Sequence, residues 1–362
     1  MNILVVRGNP RANGYTQYIT DLVVRGAQEG GAAIVDVNLI SKKITPCIGC
    51  YHCWTVTPGT CRFRDDMPEL LERFLDADIV LCSTPLYYYA VSGAMKIFLE
   101  RTLPLTMQGF EQTPGRCMRN RTRYPERWRD KRLGFIAAGA FKEPENFDGI
   151  RTTFRLLADG FNMTLCAELI RPEAYLLQFE LAKPKTVKTV ETALQHAGFE
   201  LATSGAVSGE TSRKVSLPLA VDVPHFLKYS AIYWEHAIAM GAEAQDLAKV
   251  QQAVVGDVRI LMSEMARSID PLASAKLTAV LQFDFPDKDL HFRLCVDRGT
   301  CVMDETQAEK FDLRVTVDTA TWAGIFTRRI NVKDALMRKK IRLEGDRTLF
   351  TRLDRYFPPP VS

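Results

Sequence analysis

The feature that most constrains this chain is the alternation, over its first 170 residues, of short apolar runs with stretches of helical periodicity. Asn2–Arg7 (NILVVR), Ala33–Asn38, Ile79–Thr84 (IVLCST), Leu133–Ala138 and Leu165–Ile170 read as strands. The first is apolar on both faces and ends at Gly8, as expected of a strand buried inside a parallel sheet. Between these runs, Tyr15–Gln28 sets Tyr18, Ile19, Leu22 and Val23 on one helical face. Asp66 is the expected cap of a helix with Pro68 in its first turn and Leu70, Leu71, Phe74 and Leu75 on its apolar side. A further helix is predicted over Gly93–Arg101. Strand–helix–strand repeats close through right-handed crossovers, so the pattern predicts an α/β doubly wound parallel sheet of five strands with helices on both faces.

Residues 175–245 read as helical, with Val187, Val190, Leu194 and Ala197 in one stripe that stops at Gly198, and Pro224–Met240 as an aromatic-rich helix. A helix over Val254–Ala266 then gives way to alternating strands at Ala279–Phe285, Leu290–Val296, Leu313–Val317 and Ile341–Glu344, with two short helices before the last, an α+β pattern. We therefore expect three parts: 1–175, a helical extension 176–248, and 249–362.

Loops at the carboxyl ends of such strands are where ligands bind. After the first strand, Gly8-Asn9-Pro10-Arg11-Ala12-Asn13-Gly14-Tyr15-Thr16 leads straight into a helix. Small and polar residues at a strand-to-helix turn let main-chain N–H groups and the helix start surround a phosphate, and Arg11 and Thr16 add a charged donor and a hydroxyl. A capped turn with an exposed arginine explains the same residues equally well. The segment is neither G-x-G-x-x-G nor a Walker loop, which argues against that dinucleotide fingerprint and against P-loop nucleotide hydrolysis. After the third strand, Pro85-Leu86-Tyr87-Tyr88-Tyr89 offers flat π surface to a planar ligand, because a helix or strand buries at most two of three consecutive side chains.

Four of the nine cysteines crowd into Cys47-x2-Cys50-x2-Cys53-x7-Cys61. Thiolates at this spacing suit a [4Fe–4S] cluster or a mononuclear zinc. An odd cysteine count and a start without a basic n-region argue against an exported disulfide framework, so a cytoplasmic location is expected. No apolar run approaches the roughly 18 residues needed to span a bilayer. Net charge is +4. One segment, 116–132, holds eight basic residues (Arg116, Arg119, Arg121, Arg123, Arg127, Arg129, Lys131 and Arg132) against Glu126 and Asp130. It reads as a solvated loop, or as a lid for an anion in which Tyr124 and Trp128 stack on a nicotinamide, adenine or nucleobase. Nucleic acid is disfavoured because the rest of the chain is net acidic.

These motifs together carry a family resemblance. The loop at 8–16, the cysteine block, Asp65-Asp66-Met67, P-L-Y-Y-x-x-x-S at 85–92 and Met95-Lys96-x-Phe98-x-x-Arg101 make residues 1–170 similar to the NAD(P)H-dependent FMN reductases and iron–sulfur flavoproteins of the flavodoxin-like superfamily. The resemblance implies FMN as cofactor; it implies a [4Fe–4S] cluster less, because many FMN reductases of this kind carry similar cysteines without one and the x7 gap is longer than the spacing of cluster-bearing members. Its phosphate would meet Asn9, Arg11, Asn13, Gly14, Tyr15 and Thr16; its ring would lie against Pro85, Leu86, Tyr87 and Tyr88 near Ser92, with Gly139, Ala140 and Phe141 as a third wall. Tyr87 and Tyr88 are the candidates for positioning or proton donation. It further implies NAD(P)H as cosubstrate, a quinone-like, flavin or lipophilic acceptor, and a homo-oligomer. Residues 311–317 (FDLRVTV), Thr321-Trp322, Val332–Met337 and I-x-L-E-G-D at 341–346 resemble the sterol-carrier-protein type of lipid-binding domain. Carriers have Gly near the first helix end and before the last strand, where this chain has Arg328-Arg329 and Arg338-Lys339-Lys340. An iron–sulfur/FMN electron carrier and a lipid carrier or sensor with a flavodoxin-like half are the alternative functions.

Overall fold

The computed structural model describes residues 1–112, 118–178, 184–220, 222–243 and 246–358. Its contacts divide the chain into two units, Met1–Asp222 and Val223–Ser362. The stretch expected as a separate helical extension is shared between them.

In the first unit, β1 (Asn2–Arg7), β2 (Ala33–Asn38), β3 (Ile79–Pro85), β6 (Arg132–Ala138) and β7 (Thr164–Arg171) pair in the order β2-β1-β3-β6-β7, every pair parallel. Counting only these strands, the order is the 2-1-3-4-5 of a flavodoxin-like sheet. The central β3 is buried along its whole length, which is why it reads as a continuous apolar run. The crossovers are α1 (Tyr15–Glu29), α3 (Met67–Asp76) after the helical turn α2 (His52–Thr55), α4 (Gly93–Glu100) and α5 (Asp148–Gly160). Between α4 and β6, a hairpin of β4 (Thr106–Glu111) and β5 (Arg119–Thr122) interrupts the alternation. Sequence reading missed this hairpin because its strands are short and polar.

Two helices follow, α6 (Pro184–Thr203) and α7 (Gly209–Val215). The apolar stripe of α6 does not stop at Gly198. The helix runs on, because Gly198 is a packing residue where α6 crosses α1. A Cβ on Gly198 would lie 1.9 Å from the Val23 carbonyl oxygen, and one on Gly26 would lie 1.7 Å from that of Gln195. The two backbones touch through paired glycines, a contact no other residue permits.

In the second unit, α8 (Val223–Ala239), α9 (Leu247–Val255) and α10 (Val258–Arg267) precede a five-stranded sheet. The sequence predicts one helix over Val254–Ala266. The chain instead breaks at Gly256–Asp257, where the Asp257 side chain accepts from the Arg259 N–H and starts a new helix. The sheet, β8 (Thr278–Phe285), β9 (Leu290–Asp297), β10 (Thr300–Asp304), β11 (Leu313–Val317) and β12 (Ile341–Gly345), is ordered β10-β9-β8-β11-β12, with β8 and β11 parallel and the other pairs antiparallel. Between β11 and β12 run α11 (Thr319–Phe326) and α12 (Val332–Met337); α13 (Arg347–Thr351) and α14 (Leu353–Tyr356) follow. The apolar face of the sheet carries Phe283, Phe285, Phe292 and Leu294, and Trp322 of α11 packs on it with ring centroids 5.1 Å from Phe283. Arg328 and Lys339 sit just past α11 and α12 at φ +58° and +53°, the left-handed geometry that a glycine adopts without strain. Among the described residues, no helix is long and apolar enough to cross a membrane.

The α1–α6 crossing generates a test. Gly198→Ala should cost about 3 kcal/mol or more through forced separation of the two helices, read as a lower urea midpoint. An unchanged midpoint would show that the crossing can open without penalty.

Candidate functional site

Parallel pairing ends β1, β3 and β6 at one edge of the sheet, and the three loops of interest leave from there. The first begins at Gly8, whose N–H donates to Ser83 O at 2.8 Å. A Cβ here would stand 2.8 Å from Ser92 Oγ, so the loop passes where only glycine fits. Ser92 Oγ donates to Gly8 O at 2.6 Å and accepts the Met95 N–H as the cap of α4, while the Ser92 N–H donates to Thr84 Oγ1. Ser92 thus fastens the first loop to the second. Asn9 is buried; its Nδ2 donates to Arg11 O and Gln17 Oε1, and its Oδ1 is buried without a partner. This amide shapes the turn from inside.

Pro10, Arg11, Ala12 and Asn13 are exposed, and Gly14 caps α1 with no side-chain hydrogen bond. The start of α1 therefore presents its first-turn dipole and amides without a capping oxygen, the arrangement that takes an anion. Arg11 folds back over this helix start, with Nε 3.7 Å from where a Gly14 Cβ would stand. Thr16 is buried in the first turn and Tyr15 is half-buried. Behind the loop, Arg7 holds α1 in place: it chelates Asp36 through Nε and Nη2 at 2.8 and 2.7 Å and meets Asp21 at 2.7 Å.

The second loop is a tight turn. Tyr87 and Ala90 exchange both main-chain hydrogen bonds at 3.0 Å, and the residues between them, Tyr88 and Tyr89, have φ +48° and +62°. Two left-handed tyrosines in succession are strained, and such strain clusters at functional sites. All three tyrosines project to solvent, Tyr88 almost completely at 99% exposure, whereas Pro85 and Leu86 are buried. In the third loop, Gly139 leaves no room for a Cβ beside Phe147 and Leu86. Ala140 and Phe141 are exposed, and the Phe141 ring stacks on Tyr89 at 5.7 Å and 10°, joining the second and third loops.

The residues fit FMN on these observations: an uncapped helix start beside an arginine, glycines where loops approach closely, and exposed rings on the neighbouring loops, whereas Asn9, expected to donate to the phosphate, spends its Nδ2 inside the turn.

The cysteine segment leaves β2 at the same edge. Cys47, Cys50, Cys53 and Cys61 line one small cavity of about 20 Å³ with Phe63 and Arg101. Burial and the neighbouring Cys61, Cys47 and Cys50 push the Cys53 thiol up from its ordinary value. Among the described residues no group of three or more His, Cys, Asp or Glu side chains is disposed to hold a metal ion, so the structure gathers the thiols without assigning a metal to them. What pins this segment is a pair whose function its motif did not reveal. Arg101 grips Asp65 with Nη1 and Nη2 at 2.7 and 3.0 Å, both side chains at 1% exposure, and Nη1 also donates to Thr45 O. Asp66 stands at the N-cap position of α3 as expected but makes no side-chain bond to the helix; its carboxylate accepts the Lys43 N–H, and Asp65 accepts the Met67 N–H.

The described side chains of the basic segment divide: Arg121 and Arg129 are exposed, and others are taken up by the fold. Trp128 is 4% exposed and stacks on Phe161 at 5.0 Å, so it is unavailable to a nucleotide. Arg119 pairs with Glu111, Arg127 with Glu72 and Asp76, and the Lys131 ammonium is buried against the Leu75 and Ala77 carbonyls. Arg116 lies outside the described residues.

The Asp65–Arg101 pair carries a pH signature. Burial alone would raise the Asp65 carboxyl, but hydrogen bonds from Arg101, Thr45 and Met67 outweigh it and hold the pKa at about 2. A carboxyl depressed in the folded chain contributes stability that is complete above its unfolded pKa and lost as pH falls through the folded one. The contribution, about 2 kcal/mol, should vanish between about pH 4 and 2. Asp65→Asn leaves Arg101 buried and unpaired, and should cost about 3–5 kcal/mol at neutral pH. In urea unfolding the gap between variant and wild type should narrow as pH drops below about 4; a constant gap would refute the assignment.

Comparison with known proteins follows the two units. An iron–sulfur flavoprotein of Archaeoglobus fulgidus is 35% identical over 104 residues, 29% of this chain and 46% of that protein. One from Methanocaldococcus jannaschii is 31% identical over 111 residues, 31% of this chain and 56% of its own. A solved NAD(P)H:quinone oxidoreductase from Methanothermobacter marburgensis shares 15% identity at a TM-score of 0.41, over 56% of this chain and 98% of that one. The chain spans about half the length of the curated relatives it matches. Residues 1–147 match the family of NADPH-dependent FMN reductases and residues 263–358 the SCP-2 sterol transfer family, which bears out both resemblances drawn from the motifs.

Proposed function

We propose that this chain is an FMN-dependent NAD(P)H oxidoreductase, with the flavin held by residues 1–175, joined to a lipophile-binding part, 249–362. The observation that carries the reading is the convergence of three loops at one sheet edge, with Arg11 over an uncapped helix start on one side and exposed aromatic rings on the other. Flavin held by these residues would supply the redox chemistry, hydride acceptance from a reduced nicotinamide and electron delivery to an acceptor. The chain's own residues bind and orient. Arg11, Asn13, Gly14 and Thr16 hold the phosphate; Asn9 sets the turn from within; Pro85 and Leu86 back the ring; Tyr87, Tyr88 and Phe141 form the exposed surface on which planar partners stack. Tyr87 supplies a hydroxyl at the opening as the candidate proton donor.

Arg11→Ala removes a charge-assisted contact and should weaken FMN binding about tenfold to a hundredfold, measured by quenching of flavin fluorescence. Unchanged affinity would displace the phosphate from this loop. The same protein, purified anaerobically, should show flavin bands without the broad brown absorbance of an iron–sulfur cluster. Stoichiometric iron and sulfide that vanish in Cys50→Ser would turn the reading to an electron-transfer protein.

For the second unit, one observation favours a ligand. Trp322 Nε1 is buried among apolar rings with no hydrogen-bond partner, a donor that an oxygen of a lipophile would satisfy. Such a molecule, a quinone for example, is the acceptor class this reading favours. Trp322→Phe removes the donor and leaves a smaller ring in the core; binding of a fluorescent fatty acid to the full chain should fall about tenfold, with a melting temperature lower by a few degrees from the lost packing. Equal binding by both proteins would show that Trp322 Nε1 does not meet the ligand, and no binding by either would return the unit to a structural role.

A further inference from the structure

Two charged side chains at the end of β7, Arg171 and Glu173, are at 0% exposure, and nothing in the flavin reading uses them. Placing two charges out of water is costly, and their ion pair is a long one: Arg171 Nη2 stands 3.9 Å from Glu173 Oε2, while Arg171 Nη2 and Glu173 Oε1 have no hydrogen-bond partner. Their bonds go to the main chain. Arg171 Nη1 donates to Val215 O at 2.6 Å, and Arg171 Nε to Pro172 O. Glu173 Oε2 accepts the N–H groups of Leu219 and Ala220 at 2.6 and 3.2 Å. The backbone of the same segment grips the third loop of the site. Gly139 N–H donates to Arg171 O at 3.2 Å, Ala174 N–H to Gly139 O at 2.9 Å, and Glu173 N–H to Phe141 O at 2.9 Å. Glu173 does this from a left-handed conformation, φ +49°, which a glutamate adopts only when its surroundings compel it.

We propose that Glu173, with Arg171 beside it, is a positioning residue of the flavin site, its carboxylate tying the Gly139–Phe141 turn to the Leu219–Ala220 segment so that Phe141 stands against Tyr89. The inference rests on the flavin reading. Main chain and side chain divide the work: the N–H holds Phe141, the carboxylate holds the buried 219–220 segment, and the left-handed turn at Glu173 lets one residue do both. The role depends on an accepting oxygen rather than on charge.

The test compares Glu173→Ala, which removes the acceptor, with Glu173→Gln, which keeps one acceptor oxygen while leaving Arg171 without its counter-charge and so loses global stability, and with Val190→Ala in the core of α6 as a variant that loses stability elsewhere. Two quantities are read at a temperature where all are folded: exchange of the main-chain amides at 139, 173 and 174 in the flavin-free chain, whose N–H groups make the bonds between the loop and this segment, and FMN affinity. Glu173→Ala should speed exchange there about tenfold and weaken FMN about tenfold, with Glu173→Gln and Val190→Ala within about threefold of wild type on both. Should Glu173→Ala fail to fold, Glu173→Asp withdraws the carboxylate by one methylene and should move both readings the same way by a smaller factor. If Val190→Ala loosens the loop as much as the Glu173 variant does, Glu173 is structural only and the proposal falls. A wild-type chain that takes up no FMN overturns the flavin reading itself. FMN binding by wild type that Glu173→Ala matches within about threefold overturns the positioning role alone.

Discussion

The parallel ladder β1–β3–β6 is the constraint on which the first unit depends. Parallel strands cannot be joined by tight turns, so each must be followed by a crossover, and each crossover begins at the same edge. The loops at 8–16, 85–92 and 139–147 meet there because Ile3–Arg7 pairs in register with Ile79–Ser83, and Ile79–Pro85 with Arg132–Ala138. Small hydrogen bonds then join the loops to one another. The Leu86 N–H reaches Ala138 O at 2.8 Å, and Ser92 reaches back to Gly8. No loop has to hold its shape alone.

Beneath that edge the unit uses buried charge as mortar. Arg7, Arg101, Lys131 and Arg171 are all under 5% exposed, and each reaches a carboxylate or a main-chain carbonyl of a segment distant in sequence. Arg101 ties the cysteine segment to α4, Lys131 closes the end of α3, Arg7 sets α1, and Arg171 secures the stretch after α7. Removing any one partner leaves an uncompensated ion in the interior, so these contacts specify one arrangement of the loops even where their net contribution to stability is small.

Much of the site was legible beforehand because it lies at strand ends, and strand ends are marked by local chemistry. Gly8, Arg11, Gly14, the tyrosine run and Gly139 are all adjacent to an apolar run that names them. What escaped were partners far apart in sequence. Asp65 and Arg101 stood in recognised motifs, yet their pairing across 36 positions has no local signal. Trp128 looked available for stacking because its neighbours are basic, and the fold buries it on Phe161. Glu173 carried no motif at all; its meaning comes from a φ angle and two amides more than forty residues away.

Glycine shows the boundary between the two kinds of information. At Gly256 a break in helical periodicity was written locally, yet the continuous apolar pattern on either side hid it until Asp257 was seen to cap the second helix. At Gly198 the local rule pointed to a helix end, and the tertiary structure overrode it, since the missing Cβ there serves a contact with α1 and not a turn. By itself the sequence determined the parallel sheet, its crossovers and the edge at which the loops emerge, because hydrophobic period and turn chemistry act between neighbours. Only the tertiary structure decided which buried charge meets which, how closely two helices approach and which side chains remain at the surface, because those depend on distances between residues that the chain brings together only by folding.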